Sequence, residues 1–113
     1  MNSTKIISWN VNGIRAIIKK DFLKDIKEIN PDIICLQETK AGEEDALKAL
    51  EVMDGYHLHV NSSKARKGYS GTAILSKKKP QKIINDIGMD IHDQEGRVMF
   101  FENDDFNLVN VYV

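Results

Sequence analysis

Two short apolar segments separated by a stretch with helical spacing place the strongest constraint on the fold. Residues 5–9 form a β-branched run, and residues 32–36 form an apolar run without alternation, which is typical of a strand covered on both faces. Between them, apolar residues recur from Ile14 to Ile29 with the period of an amphipathic helix, interrupted near Lys20-Asp21 and ended by Asn30-Pro31. The order strand, helix, strand predicts two parallel strands joined by a right-handed crossover.

The remainder of the chain predicts one more helix and several short strands. The helix is expected at Glu43–Leu50, and the polar turn 102–105 suits a hairpin between the last two strands. The final strand is apolar on both faces, which predicts an interior position in the sheet. The strands, expected to pair largely antiparallel, lie near residues 56–60, 72–76, 82–87, 97–101 and 106–113.

Length and composition limit the classes of protein that the chain can belong to. A chain of 113 residues has room for one core, so we expect a single domain over residues 1–113. Its 42% hydrophobic and 29% charged residues are typical of a folded globular protein rather than a disordered one. A net charge of −1 means that any anionic partner must be held by a local basic patch.

The single cysteine and the short apolar runs bear on the compartment. Cys35 has no partner for an internal disulfide, which favours a reducing, intracellular location in cytoplasm or nucleus. The apolar runs are too short to cross a bilayer, and residues 1–4 lack the regions of a secretory signal. Neither membrane insertion nor export is expected.

Polar side chains follow the first two predicted strands. Asn10 and Asn12 come after the first strand, and Glu38 comes after the second. Because ligands bind outside the carboxyl ends of parallel strands, these side chains are expected to meet at one edge of the sheet. Magnesium takes one or two carboxylates and keeps several waters, so Glu38 could hold it. A lone glutamate at a strand end is more often a solvated edge residue, so this constellation alone is weak.

Three further segments were candidates for chemistry. The loop 62–71 combines basic residues, glycines and Tyr69, which suits either a phosphate contact or a flexible solvated turn. The run Lys77–Lys79 is more typical of a solvated loop. His57 and His59 share one strand face, but no neighbouring motif indicates a metal site there.

Five ordered sequence blocks resemble the amino-terminal half of exonuclease III-type AP endonucleases, within the endonuclease/exonuclease/phosphatase superfamily. They span nearly the whole chain, and the LQETK and GYSG sequences are the most specific to that family. The blocks are WNVNGIRA (9–16), PDIICLQETK (31–40), KGYSGTAILSK (67–77), HDQEGRV (92–98) and LVNVYV (108–113).

The resemblance implies a fold and a set of site residues. The fold is half of a four-layer αββα sandwich, an α/β (α+β) architecture expected here as one mixed sheet with helices on its outer face. Glu38 becomes the metal ligand, Asn10 part of the polar catalytic network, and Tyr112 the tyrosine beside the scissile phosphate. Asn12 stands where family members carry aspartate or asparagine near the metal. The expected DNA-contacting residues are Arg15, Lys20, Gly68, Tyr69 and Arg97.

The resemblance also implies an activity. It is magnesium-dependent hydrolysis of the phosphodiester 5′ to abasic sites in double-stranded DNA, with 3′-5′ exonuclease activity as an addition and Mn²⁺ as an alternative metal. Nothing here matches the family's second half, which supplies an Asp-x-Asn motif, a further aspartate and an Asp-His pair. The 113-residue chain is therefore expected to be a fragment, inactive alone, which requires the carboxyl-terminal half or self-associates through an exposed sheet.

Two other functions stay open from the sequence. One is a non-catalytic DNA-binding or interaction module that retains Arg15, Tyr69 and the basic loop without cutting. The other is a phosphatase of the same superfamily that acts on lipids or inositol phosphates, against which the GYSG and HDQEGR sequences argue.

Overall fold

A computed structural model describes residues 3–66, 68–86 and 94–112. The block positions Lys67, His92, Asp93 and Val113, and Ile87 of the expected strand 82–87, lie outside the described residues. The first half contains β1 (Ile6–Asn10), α1 (Ile14–Ile18), α2 (Phe22–Ile29), β2 (Ile33–Gln37) and α3 (Glu43–Leu50). The second half contains β3 (His57–Asn61), β4 (Thr72–Ser76), β5 (Lys82–Asn85), β6 (Val98–Glu102) and β7 (Asn107–Val111).

The helical crossover has the interruption that its sequence predicts. The α1 helix ends at Ile18, and α2 begins at Phe22, so the break falls at the polar residues between them. Asn30 ends α2 with a φ of 50°, a left-handed conformation that stops the helix before Pro31.

Four strands form a mixed sheet in the order β1-β2-β4-β3. The β1 and β2 strands are parallel, as predicted, and β4 is antiparallel to both β2 and β3. The outer face of this sheet packs against the helices. Its core includes Ile34, Leu36 and Leu75 from the sheet, with Phe22 and Leu50 from α2 and α3. The predicted α/β class with helices on an outer face is confirmed.

The expectation of one sheet is wrong, because β5, β6 and β7 form a second, antiparallel sheet in that order. Its inner face packs onto the inner face of the four-stranded sheet. Ile33, Cys35 and Ile74 of the first sheet meet Met99 and Phe101 of the second in a separate core. The described residues thus already contain two sheets face to face, because strand periodicity in a sequence does not state which strands share a sheet.

The expectation that the last strand lies inside a sheet is also corrected. Among the described residues β7 pairs only with β6, and it lies at the edge of the three-stranded sheet. Its residues do alternate as predicted: Val109 and Val111 are 48% and 47% exposed, whereas Asn110 is buried between the sheets. One apolar face of β7 packs against the four-stranded sheet, and the other apolar face is exposed.

The helices are short. Within the described ranges, no helix has the length and apolar character needed to span a bilayer.

Candidate active site

The parallel strands β1 and β2 continue their pairing beyond their ends, and this places the site. The backbone N–H of Val11 donates to the carbonyl of Gln37 at 3.0 Å, and that of Gly13 donates to the carbonyl of Glu38 at 2.8 Å. Ile14 N–H donates to Thr39 O at 2.9 Å. The two loops are therefore joined along their lengths, and the side chains of both emerge at one edge of the sheet.

Glu38 lies at the centre of a hydrogen-bonded cluster at this edge. Its Oε1 accepts from Asn10 Nδ2 at 3.2 Å and from the Tyr112 hydroxyl at 3.1 Å. Its Oε2 lies 3.0 Å from Lys40 Nζ. The bond from Lys40, followed by that from Asn10, lowers the pKa of the Glu38 carboxyl below its ordinary value. The carboxylate is therefore held ionised, in a fixed position.

Lys40 joins Asn12 to Glu38, and sequence reasoning assigned it no role. Its Nζ donates to Asn12 Oδ1 at 2.7 Å in addition to its contact with Glu38. Asn12, Glu38 and Lys40 all have left-handed backbone conformations, with φ of 47°, 61° and 52°. Such conformations are costly for residues other than glycine and cluster at functional sites. The only sequence signal for Lys40 was its place two residues after Glu38 in the LQETK block.

Tyr112 directly follows β7 of the second sheet, and its side chain reaches the same carboxylate. Its bond to Glu38, together with burial, raises the pKa of the Tyr112 hydroxyl, so the phenol stays protonated as a donor. A partly buried amide pair supports this approach, since Gln37 Nε2 donates to the buried Asn110 Oδ1 at 2.8 Å. Asn110 Nδ2 donates in turn to the carbonyls of Leu36 and Ala73. The site therefore lies where both sheets meet.

The basic loop is fastened beside Lys40 by its backbone. Thr39 N–H donates to Gly71 O at 3.1 Å, and Lys40 N–H donates to Ser70 O at 2.8 Å. Gly68 has a φ of 80°, and a side chain there would approach the carbonyl of Lys40. The loop thus brings Gly68 and Tyr69 to the edge of the Glu38 cluster.

An aromatic and basic cluster continues from Tyr112 to this loop. The Arg97 guanidinium lies 4.9 Å from the centre of the Tyr112 ring and 6.0 Å from that of Tyr69. Arg66 lies 5.8 Å from the centre of the Tyr69 ring. Glu95 holds Arg97 from the other side, with Nε and Nη2 each 2.6 Å from its Oε2. Burial lowers the pKa of Arg97, but the hydrogen bond and charge of Glu95, together with smaller contributions from Tyr69 and Tyr112, raise the pKa overall.

The other two predicted DNA-contacting residues occupy different places. Arg15 is exposed on α1 near the site, where Nη2 donates to Lys40 O at 3.4 Å and Nη1 lies 3.9 Å from Asp45. Lys20 is exposed in the turn between α1 and α2, on the helical side of the four-stranded sheet. The structure therefore groups Asn10, Asn12, Glu38, Tyr112, Gly68, Tyr69 and Arg97 in one region, with Arg15 at its border.

The donor atoms fit part of a magnesium site. Glu38 supplies one carboxylate and Asn12 an amide oxygen, and magnesium accepts such a set because it retains several waters. Within the described part of the chain, no three His, Cys, Asp or Glu side chains are grouped so that they could hold a metal ion together. Lys40 now binds the two oxygens that a cation would use, so a metal would replace its ammonium group.

The sequence matches the family model described as Endonuclease/Exonuclease/phosphatase family over residues 7–113. An exodeoxyribonuclease of Bacillus subtilis is 50% identical over 109 residues, which cover 96% of this chain and 42% of that protein. A DNA-(apurinic or apyrimidinic site) endonuclease of Dictyostelium discoideum is 43% identical over 112 residues, 99% of this chain and 30% of its own length. The chain thus spans less than half the length of these relatives.

Solved structures agree with this similarity. An AP endonuclease from Archaeoglobus fulgidus superposes with a TM-score of 0.83 at 31% identity, over 98% of this chain and 41% of that one. A 3′ phosphatase from Neisseria, bound to a product DNA hairpin, gives a TM-score of 0.79 at 29% identity, over 97% and 41%. The resemblance of the sequence blocks to AP endonucleases is confirmed, and partial coverage of each relative fits half of such a fold.

Proposed function

Because the chain belongs to the endonuclease/exonuclease/phosphatase family, we propose that it forms the amino-terminal part of a DNA repair nuclease. The reaction is magnesium-dependent hydrolysis of the phosphodiester 5′ to abasic sites in double-stranded DNA, with 3′-5′ exonuclease activity as an addition and Mn²⁺ as an alternative metal. The observation that carries the proposal is the Glu38 carboxylate, which receives hydrogen bonds from Asn10 and Tyr112 beside a basic, aromatic surface.

Each residue of the cluster has a proposed part in the reaction. Glu38, with Asn12, would hold the metal, whose positive charge would stabilise the negative charge that develops on a phosphate oxygen. Tyr112 and Asn10 fix the Glu38 carboxylate by donating to Oε1, and the phenol O–H is also placed to donate to a phosphate oxygen. These groups bind and orient the phosphate. They do not include a general base for the attacking water.

The surface around this cluster supplies the proposed DNA contacts. Arg15 and Arg97 neutralise phosphates, and Lys20 extends the basic surface along the helical side. Gly68 permits close approach of the backbone, and Tyr69 packs against the sugar or the groove wall. This local cluster of cations explains how a chain of net charge −1 could bind DNA.

We propose that residues 1–113 act as one domain that requires a second part. The chain spans 42% and 30% of two relatives named as nucleases. The groups that activate water would come from the remaining part of such a protein. A non-catalytic DNA-binding module is the second candidate, supported by cationic and aromatic side chains that lie together with no general base beside them among the described residues.

The test is a nicking assay on an abasic duplex in magnesium. The chain alone should give no cleavage above background, whereas a second chain corresponding to the rest of the Bacillus subtilis relative should restore cleavage. In that mixture Glu38→Gln should lower cleavage by roughly a hundredfold or more but alter DNA binding little. The reason is that the Glu38 carboxylate acts mainly on the transition state.

The outcomes separate the candidates. DNA binding without cleavage in any mixture would favour the binding module. Robust magnesium-dependent nicking by the purified 113-residue chain would show that the water-activating groups are already present. Absence of salt-dependent DNA binding would contradict both candidates.

A further inference from the structure

We infer that Glu95 is a positioning residue, which holds Arg97 so that one edge of its guanidinium group faces a DNA phosphate. This inference rests on the proposed function. Both Nε and Nη2 of Arg97 lie 2.6 Å from Glu95 Oε2, which occupies one edge of the guanidinium fork. Short contacts between an ionised donor and acceptor are the strong, directional kind.

The other edge of Arg97 is only loosely engaged. Nη1 donates to the carbonyl of Tyr112 at 3.4 Å, and Nη2 donates to the Tyr69 hydroxyl at 3.5 Å. Both lengths exceed those of good N–H···O bonds, which are below about 3.2 Å. These two N–H groups could therefore exchange their long hydrogen bonds for bonds to phosphate oxygens at little cost. The guanidinium fork matches the geometry of two phosphate oxygens.

The segment that carries Glu95 is fixed to the loop after β3 and to the first sheet. Gln94 O accepts from the N–H groups of Lys64 and Ala65 at 2.6 and 2.9 Å. Gly96 packs so closely that a Cβ on it would lie 2.5 Å from the carbonyl oxygen of Asn61, and its own carbonyl accepts from Thr72 Oγ1. Glu95 thus stands on a segment anchored on both sides.

An anchored carboxylate next to a cation affects DNA binding in two opposite ways. Its charge repels phosphate, which opposes binding at long range. Its contact removes rotamer freedom from Arg97 before DNA arrives, and ordering a long side chain at an interface weakens binding by roughly twofold to tenfold. Arg97 also packs between two rings at a side-chain exposure of 27%, so Glu95 satisfies N–H groups that solvent reaches poorly. We expect positioning to exceed repulsion.

The test is a double-mutant cycle on the affinity of the chain for duplex DNA, measured by fluorescence anisotropy. Glu95→Gln should weaken binding by roughly threefold to tenfold at about 0.15 M salt. In an Arg97→Met background the same change should have almost no effect, because Glu95 acts through Arg97. Tighter binding by Glu95→Gln, or an equal effect in both backgrounds, would overturn the inference.

A matched change of charge controls for electrostatics alone. Asp45 lies 3.9 Å from Arg15, another candidate DNA-contacting arginine. Asp45→Asn removes one negative charge and should leave affinity unchanged or raise it. An equal loss of affinity in this variant would mean that the loss at Glu95 does not report the anchored contact.

A second measurement does not depend on DNA. The side-chain Nε–H signal of Arg97 in NMR spectra should exchange slowly with water in the unmodified chain and rapidly in Glu95→Gln. Unfolding temperatures of both chains would show that the fold is retained. A signal that exchanges equally fast in both chains would overturn the inference, whereas failure of the unmodified chain to bind DNA would count against the proposed function itself.

Discussion

At the scale of single residues, the ammonium group of Lys40 lies between a carboxylate oxygen of Glu38 and the amide oxygen of Asn12. The sequence predicted that Asn10, Asn12 and Glu38 meet, because the carboxyl ends of parallel strands share one edge of a sheet. The family resemblance added Tyr112 to this group. Lys40 escaped notice because its direction depends on a left-handed φ of 52°, which no propensity for lysine indicates. The contact of Glu95 with Arg97 was not predicted, because the two residues lie on opposite sides of a turn.

Lys40 should compete with metal ions for Glu38 and Asn12. Its Nζ lies 3.0 Å from Glu38 Oε2 and 2.7 Å from Asn12 Oδ1, so a metal must displace it. We expect Lys40→Met to raise the affinity for Mn²⁺ by roughly fivefold or more, since a neighbouring unit charge is removed. Water proton relaxation during Mn²⁺ titration measures this affinity.

The control for this titration is Lys48→Met, which removes the same charge from an exposed position on α3. It should alter Mn²⁺ affinity little. Equal or weaker affinity in Lys40→Met would show that the ammonium supports the metal rather than occupying its place.

His59 should make stability depend on pH. Burial, followed by repulsion from His57, lowers the pKa of His59, and its buried Nε2 has no hydrogen-bond partner among the residues that the structure describes. The folded chain therefore binds the proton less readily than the unfolded chain. The contribution of His59 to the unfolding free energy should be fully present above the ordinary histidine pKa of about 6.5. It should fall as the pH drops from there toward the lowered pKa of His59 in the folded chain.

Urea unfolding at pH 7.5 and 5.5 measures this effect. The difference in unfolding free energy between the two pH values should shrink in His59→Leu. His57→Gln should keep most of the difference, because burial is the larger cause of the shift at His59. An unchanged pH dependence in His59→Leu would assign it to other groups.

At the scale of elements, local rules predicted nearly every helix and strand, and failed at the choice of partner. The break between α1 and α2 and the stop at Asn30 follow from polar residues and Pro31, which act locally. The separation of β5, β6 and β7 into their own sheet depends on the packing of Met99 and Phe101 across from Ile74. Such contacts join residues far apart in sequence, so a periodicity of two cannot reveal them.

Gly96 marks a close crossing between the segment before β6 and the end of β3. It has a φ of 63°, and a Cβ there would lie 2.5 Å from Asn61 O and 2.6 Å from the carbonyl carbon of Ser62. Gly96→Ala should therefore lower the unfolding free energy by about 2 to 4 kcal/mol, the sum of backbone strain and overlap.

Gly55→Ala separates these two costs. Gly55 also has a positive φ, 86°, but no atom of the described part of the chain lies within 4 Å of a Cβ placed on it. This variant should lose only about 1 to 2 kcal/mol, the cost of the left-handed conformation. Equal losses in the two variants, measured by urea unfolding, would contradict the close packing at Gly96.

At the scale of the whole molecule, the two sheets cover each other's inner faces, and the helices of the described residues cover only one of the outer faces. The outer face of the three-stranded sheet carries five apolar side chains beside a polar row of Lys82, Glu102 and Asn107. It pairs Ile84 with Phe100 and Phe100 with Val109 across the strands, and Val98 with Val111. Ile84, Val109 and Val111 are 38%, 48% and 47% exposed. We use the name bare face for the five apolar residues Ile84, Val98, Phe100, Val109 and Val111.

The bare face, next to the edge strand β7, should make the isolated chain associate. Continuous exposed apolar surfaces are unusual in monomers, and edge strands offer unpaired backbone groups to another chain. We expect sedimentation at micromolar concentration to show dimers or larger species, and a hydrophobic dye to fluoresce in the presence of the chain. Val109→Lys combined with Val111→Lys should reduce both signals, because charged side chains on an outer edge oppose pairing.

Val52→Lys is the matched control, since Val52 is 46% exposed but lies after α3, away from the bare face, and it should leave both signals unchanged. A compact monomer that does not bind the dye would mean that the bare face is too small or too broken to drive association, and the need for a covering partner would then lose its physical basis.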